Sequence, residues 1–217
     1  MVYGEHMEGR KALVFSTVAA ALVLFGVAVA YHVWKPHPQV VALKEKSTFP
    51  TMGSAKSSVE IVLIEDFQCH TCREFSKKII PKIQAEYIQS GRARFVLVPV
   101  SFLAGSQMIA NAALEVYKQN SDRFFPYLRE LLEHEGNVKK EDLLRIARQV
   151  GGINIEKLSH CIDKGCHNQE LDRNLSWARN VMGAQFRTPA LYINGSPGST
   201  YSFEAIQYQI NQILGKP

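Results

Sequence analysis

Cys69-His70-Thr71-Cys72 sets two thiols one helical turn apart. Cα atoms at i and i+3 of a helix lie about 5 Å apart, within reach of a disulfide. The pair follows Val59-Glu60-Ile61-Val62-Leu63-Ile64, a β-branched run that reads as a buried strand. The thiols therefore sit where a strand hands over to a helix. There the unpaired N–H groups and the positive end of the helix dipole favour thiolate at Cys69, and a protonated His70 would add to that. A first cysteine that ionises easily and a second that resolves the mixed disulfide make a redox dithiol.

The second pair, Cys161-Ile-Asp-Lys-Gly-Cys166, ends a long helical block, with Gly165 available for a turn. A structural Cys161–Cys166 disulfide is expected there, two free thiols being the alternative. One zinc ion shared by both pairs is disfavoured. Structural zinc halves come on knuckles or short turns, not on a helix that follows a buried strand. His160 and His167 flank the second pair, but neighbouring side chains point apart, so they read as surface histidines and no metal is expected. His6, His32, His37 and His134 carry no motif.

The positioning elements follow from periodicity. An amphipathic helix runs from the dithiol to about Gln89 through Ile79, Ile80, Ile83 and Tyr87, with Pro81 kinking rather than ending it. Ser90-Gly91 stops it, and Arg94 to Val100 reads as the next strand. From Leu103 to about Met182 the pattern is helical, in stripes such as Ile109, Ala113, Val116 and Tyr117, or Phe125, Leu128, Leu131 and Leu132. Breaks fall at Asn120-Ser121-Asp122, Gly136-Asn137 and Gly151-Gly152. Ala190 to Ile193 is a strand, Asn194-Gly195 a hairpin turn, and Phe203 to Leu214 a closing helix. The order β-α-β, helical block, β-turn-β-α is that of an α/β domain with a helical insertion.

The 217 residues are 46% hydrophobic and 21% charged, which excludes a disordered tail or a coiled-coil rod. A net charge of +5, with no block of Lys and Arg, gives nucleic acid no basic stripe to bind. Between Lys11 and Lys35 no residue carries a formal charge, and Tyr31 and Trp34 lie near one end. That stretch is long enough to cross a bilayer as one helix. It exceeds a usual signal-peptide core, which favours an uncleaved anchor, although Ala28-Val29-Ala30 has the form of a cleavage site. The chain is read as a tail (1–11), a transmembrane signal-anchor or signal peptide (12–34), a Pro-containing linker (35–52) and a domain (53–217) with its insertion at about 103–167.

The strings VEIVLIEDFQCHTC (59–72) and GAQFRTPALYING (183–195), with the insertion between them, resemble the thioredoxin superfamily, and within it the DsbA-type bacterial disulfide oxidoreductases. The likeness covers about Gly53 to Leu214. It implies a thioredoxin-like fold, Cys69 as exposed nucleophile and Cys72 as buried resolving thiol. It also implies a cis Pro189 against the dithiol, and a Thr188 backbone that pairs with a bound substrate strand. Phe124-Phe125-Pro126-Tyr127 fits the aromatic helix start common in the insertion, and Cys161 matches a cysteine of many relatives. Three features depart from the pattern. The dipeptide is His-Thr rather than Pro-His. Arg187 stands where a small or apolar residue is common. The acid that many relatives carry six residues before the first cysteine is Leu63 here, and Glu65, on the same strand face, could take over its proton transfer.

The function this implies is disulfide donation to exported cysteine-containing proteins through a mixed disulfide at Cys69, with a membrane redox partner renewing the dithiol. No cofactor, metal or nucleic acid is involved. The expected form is a monomer, single-pass in the bacterial inner membrane or cleaved from it, with the catalytic domain in the periplasm or otherwise outside the cytoplasm. A reductase or isomerase kept reduced by a membrane donor is the alternative. A chaperone or metal-binding module is a third reading.

Overall fold

The computed structural model describes residues 15, 17–27, 49–134 and 136–215. The chain divides into two units, residues 1–37 and 38–217. In the first, residues 15 and 17–27 are helical and their side chains exposed. Among the described residues no helix is long and apolar enough to cross a membrane. The tail, the rest of the expected span, the linker up to residue 48, and His6, His32 and His37 lie outside the described residues.

The second unit is built on a five-stranded sheet. Its strands are β1 (Thr51–Met52), β2 (Val59–Glu65), β3 (Ala93–Pro99), β4 (Ala190–Ile193) and β5 (Ser196–Pro197), in the order β1-β3-β2-β4-β5. Only β2 and β3 are parallel, Ile61 opposite Phe95 and Leu63 opposite Leu97; the other neighbours run antiparallel. β2 is buried on both faces, as its unbroken apolar run requires. Val59, Ile61 and Leu63 point into a large core shared with the insertion. Val62 and Ile64 point into a smaller one with Val96, Val98 and Tyr192. β1 lies inside the stretch that reads as linker, so the folded unit takes in residues from Phe49 onward.

Helix α1 (His70–Lys78) leaves the dithiol, and α2 (Ile80–Ile83) continues as a π-helical turn, Gln84–Ile88. Pro81 interrupts the helix at Ile79, but Ile79 keeps a helical backbone, and the bonds from Ile79 N to Phe75 O (2.8 Å) and from Ile83 N to Ile79 O (3.1 Å) carry the run across, so the proline disturbs the helix without ending it. The insertion supplies α3 (Ser106–Gln119), α4 (Ser121–Glu133), α5 (Lys140–Val150) and α6 (Ile155–Lys164). α7 (Asn168–Met182) returns the chain to the sheet, and α8 (Phe203–Ile213) closes it. Arg73 ties the insertion to α1: its guanidinium donates to Leu132 O at 2.9 Å and His134 O at 2.5 Å, carbonyls that the end of α4 leaves open. The Asn194-Gly195 turn has φ of 45° and 81°. The Asn194 side chain also accepts from Glu60 N at 2.7 Å and donates to Ser58 O at 3.0 Å, clamping the β4–β5 hairpin to β2.

Candidate active site

β2 carries the site to the end of the sheet. Asp66, fully buried, follows its last residue and organises the loop that presents the dithiol. Its Oδ1 accepts from Gln68 N at 2.9 Å and its backbone carbonyl from Cys69 N at 2.9 Å. Its Oδ2 accepts from Phe102 N at 2.9 Å and Leu103 N at 3.1 Å, so one carboxylate fastens two loops.

Cys69 is the N-cap of α1, and its Sγ accepts from Cys72 N at 3.4 Å. Thr71 Oγ1 lies 3.1 Å from the same sulfur. Burial opposes ionisation of Cys69, but hydrogen bonds from Cys72, Thr71 and Thr188 outweigh it and hold the thiol below its ordinary pKa. Cys72 is 1% exposed, and burial, then the charge of Glu65, push its pKa far up. One thiol is poised to ionise and its partner to stay protonated.

The register Ile64↔Ala190 places the residues before β4 beside the dithiol. Thr188-Pro189 is a cis peptide, as the resemblance implies. Thr188 O is 3.7 Å from Cys69 Sγ and 3.5 Å from Thr71 Oγ1. A groove of about 290 Å³ runs past this point, lined by His70, Thr71, Phe75, Arg187, Pro189 and Tyr201 among others. His70 is exposed on its rim and, among the described residues, makes no hydrogen bond to Cys69; Thr71 does instead.

Glu65 is 1% exposed and faces α1, where Ser76 Oγ donates to its Oε2 at 2.6 Å. Burial raises the carboxyl from its ordinary value to about 8, against the hydrogen bond from Ser76; the charges of Cys69 and Asp66 add to the rise.

The second cysteine pair lies apart, at the α6–α7 junction. Both residues are thiols in the structure, Cys161 buried and Cys166 exposed. His167 is not a surface histidine. Its ring is 14% exposed, with Nε2 2.9 Å from Glu115 Oε2, because Asn111 and Glu115 of α3 draw this junction inward. Glu115, Cys161 and His167 place potential ligand atoms within 4.8 Å of one another. The Glu115 carboxylate, however, is already paired with Lys157 at 3.4 Å and accepts from Gln119 at 3.0 Å. The cluster is a charge-balanced polar network as it stands.

Sequence reading passed over Thr71, Asp66 and Ser76. A hydroxyl in the first turn beside a thiol, an Asp in a turn three residues before Cys69, and a small polar residue one turn after Cys72 were the available signals.

A family model described as Thioredoxin matches residues 45–212. The chain belongs to the thioredoxin family. The disulfide bond formation protein D of Bacillus subtilis is 31% identical over 153 residues, covering 67% of this chain and 67% of that protein. The crystal structure of Chlamydia trachomatis DsbA superposes with a TM-score of 0.73 at 27% identity, covering 77% of this chain and 92% of that one. That of oxidised BdbD from Bacillus subtilis gives 0.71 at 25% identity, over 77% and 94%. Within the family the chain is a DsbA-type thiol:disulfide oxidoreductase, and the helices α3–α6 are the insertion of that type.

Proposed function

We propose that this DsbA-type protein is an extracytoplasmic oxidase, which passes the Cys69–Cys72 disulfide to cysteine pairs of exported proteins. The observation that carries this reading is the asymmetry of the dithiol. The start of α1 and Thr71 stabilise a Cys69 thiolate, while burial keeps Cys72 protonated against its hydrogen bonds with Thr188 and the Asp66 backbone. Stabilising the reduced form makes the disulfide a stronger oxidant.

In the reaction a substrate thiolate attacks Cys69 Sγ. The Cys69–Cys72 bond breaks, a substrate–Cys69 disulfide forms, and Cys72 leaves as a thiolate that takes up a proton, for which Glu65 is the donor. A second substrate thiolate attacks the substrate sulfur of the mixed disulfide and releases Cys69 as thiolate. The substrate leaves oxidised, and two electrons remain on the dithiol. A membrane redox partner then removes them. The backbone around Thr188, fixed by Pro189, pairs with the substrate strand, and His70 and Arg187 border its groove.

The charge-free stretch 12–34, with its exposed apolar helical residues 17–27, supports a single membrane anchor in the bacterial inner membrane, removable by cleavage after Ala30. The folded unit acts outside the cytoplasm as a monomer. There Cys161 and Cys166 close as a structural disulfide, and no cofactor is required, since the sulfurs carry both electrons.

The test is the reduction potential of the protein with Cys161 and Cys166 replaced by serine, titrated against glutathione. An oxidase gives a value toward about −120 mV. A value near about −270 mV makes it a reductase and overturns the proposal.

A further inference from the structure

Formation of the mixed disulfide with substrate, and its resolution by Cys72 in the reverse direction, need a proton moved to or from Cys72 at a moment when the bound chain covers the Cys69 side of α1. Glu65 is fully buried, so it also needs a route by which its own proton is exchanged. The groove beside Thr188 and Pro189 does not supply one, since Glu65 is not among its lining residues and it is the side assigned above to the substrate strand.

The opposite flank of α1 is open. Between α1–α2 and α4 runs a second groove of about 260 Å³, lined by Met52, Ser76, Ile80, Phe125, Leu128 and Leu132 among others. Ser76 belongs to both environments. It is 3% exposed and lines that groove, and its Oγ donates to Glu65 Oε2 at 2.6 Å. It lies four residues after Cys72, one turn along the same helix face. A serine hydroxyl has one donor and two acceptor lone pairs, so it can accept a proton from water while releasing its own. Among the described residues the Ser76 hydroxyl is the hydrogen-bond partner of the Glu65 carboxyl, whose Oε1 is buried with none.

Building on the role given to Glu65, we propose that Ser76 is its proton relay: it connects the buried carboxyl to solvent in the groove between α1 and α4, on the flank away from bound substrate. When Cys72 leaves as thiolate, Glu65 gives it a proton. The Ser76 hydroxyl then passes its proton to the Glu65 carboxylate and regains one from groove water. On reoxidation Glu65 first releases its proton through Ser76 to groove water, and the carboxylate then takes the proton of Cys72. Chemistry at the sulfurs and proton exchange thus use opposite sides of one helix.

The groups facing Glu65 are Cys69 and Cys72 from α1 and Asp66 at the end of β2. Lys77, Arg129 and Glu133 line the groove beside Ser76 and set its local charge.

The test compares the parent, S76A, S76T and E65Q, each full-length in detergent, oxidising a model peptide with two thiols across pH 5 to 9. Rapid quenching separates mixed-disulfide formation from its resolution, and the reverse reaction with glutathione disulfide reads deprotonation of Cys72. S76A is expected to slow the steps that move the Cys72 proton by about tenfold, against the hundredfold or more of losing a general acid in E65Q. It should also move their pH midpoint upward, since the hydrogen bond favouring the Glu65 carboxylate is gone. S76T restores both, and titration of Cys69 is unchanged in the two Ser76 variants. If E65Q is slow but S76A matches the parent in rate and pH profile, the relay is overturned while Glu65 keeps its role. If E65Q also matches the parent, both fail. Rates that drop in S76A and are not recovered in S76T, with the pH midpoint unmoved, make Ser76 a packing residue and overturn the relay.

Discussion

Thr71 Oγ1 stands 3.1 Å from Cys69 Sγ and 3.5 Å from Thr188 O, touching the nucleophile and the loop that presents substrate. The hydroxyl can donate to only one of them at a time. When Cys69 is a thiol, its own S–H can point to Thr188 O; when it is a thiolate, that donor is lost and Thr71 turns to the sulfur. T71V removes a hydrogen bond to a charged group, worth about 1.5–3 kcal/mol. The Cys69 pKa should rise by about one unit or more, seen as a shift in the thiolate absorbance near 240 nm with pH. The reduction potential should fall with it, while T71S stays near the parent. An unmoved titration in T71V would assign the low pKa to the helix start alone.

Asp66 supports the same site from below. Its carboxylate is fully buried and accepts from three backbone N–H groups in two loops. D66A leaves those donors unpaired and should cost about 2–5 kcal/mol in urea unfolding of the reduced protein. D66N should fall between, because its amide can accept through only one oxygen. A loss in D66A no larger than that of an exposed surface change would show that the loops hold without the clamp.

The visibility of these groups in the sequence depended on the range of the contacts that define them. Cys69, Cys72 and the strand before them were legible because spacing and residue type carry the chemistry locally, whereas Thr188-Pro189 became legible only through the family resemblance, since alone it reads as a turn or strand edge. Glu65 was legible through the two-residue period of a strand, which puts it on the face of Leu63. Thr51–Met52 was not, since a two-residue edge strand has no period to detect and takes its structure from pairing with Phe95 and Val96. His167 looked like a surface histidine because its burial depends on Asn111 and Glu115, more than fifty residues away. The disturbance at Ile79 was legible from Pro81, which lacks the N–H for its own turn; the π-helical turn at Gln84–Ile88 was not, because no residue type marks it.

Glu65 should make the stability of the reduced protein depend on pH. Its pKa is about 8 in the fold against an ordinary carboxyl value of 4.5. Between those values the folded protein holds a proton that the unfolded chain releases. The contribution is therefore complete below about pH 4.5 and is lost as pH rises through about 8. At 1.36 kcal/mol per pKa unit the change across the window is several kcal/mol, about 5 at most. E65Q should flatten this slope and unfold at higher denaturant than the parent at pH 8, with little difference at pH 4. Parallel pH profiles for the two proteins would mean that Glu65 is ionised in the fold at neutral pH.

The proposed Cys161–Cys166 disulfide has a conditional signature that separates it from ordinary packing. The two residues straddle the end of α6, where Gly165 adopts φ 63° and both Gly165 N and Cys166 N donate to Cys161 O, at 2.8 and 3.3 Å. Closing a loop of about five residues stabilises by about 2 kcal/mol in the chain-entropy account, a small but measurable amount. C166S should lose that stability when both proteins are oxidised and lose almost none when both are reduced, because Cys166 is exposed and its thiol fills no core space. C161S differs: Cys161 is buried beside Glu115 and His167, so its loss should appear in both redox states. A C166S effect of equal size with and without reductant would place the contribution of Cys166 in its contacts and leave the pair as thiols.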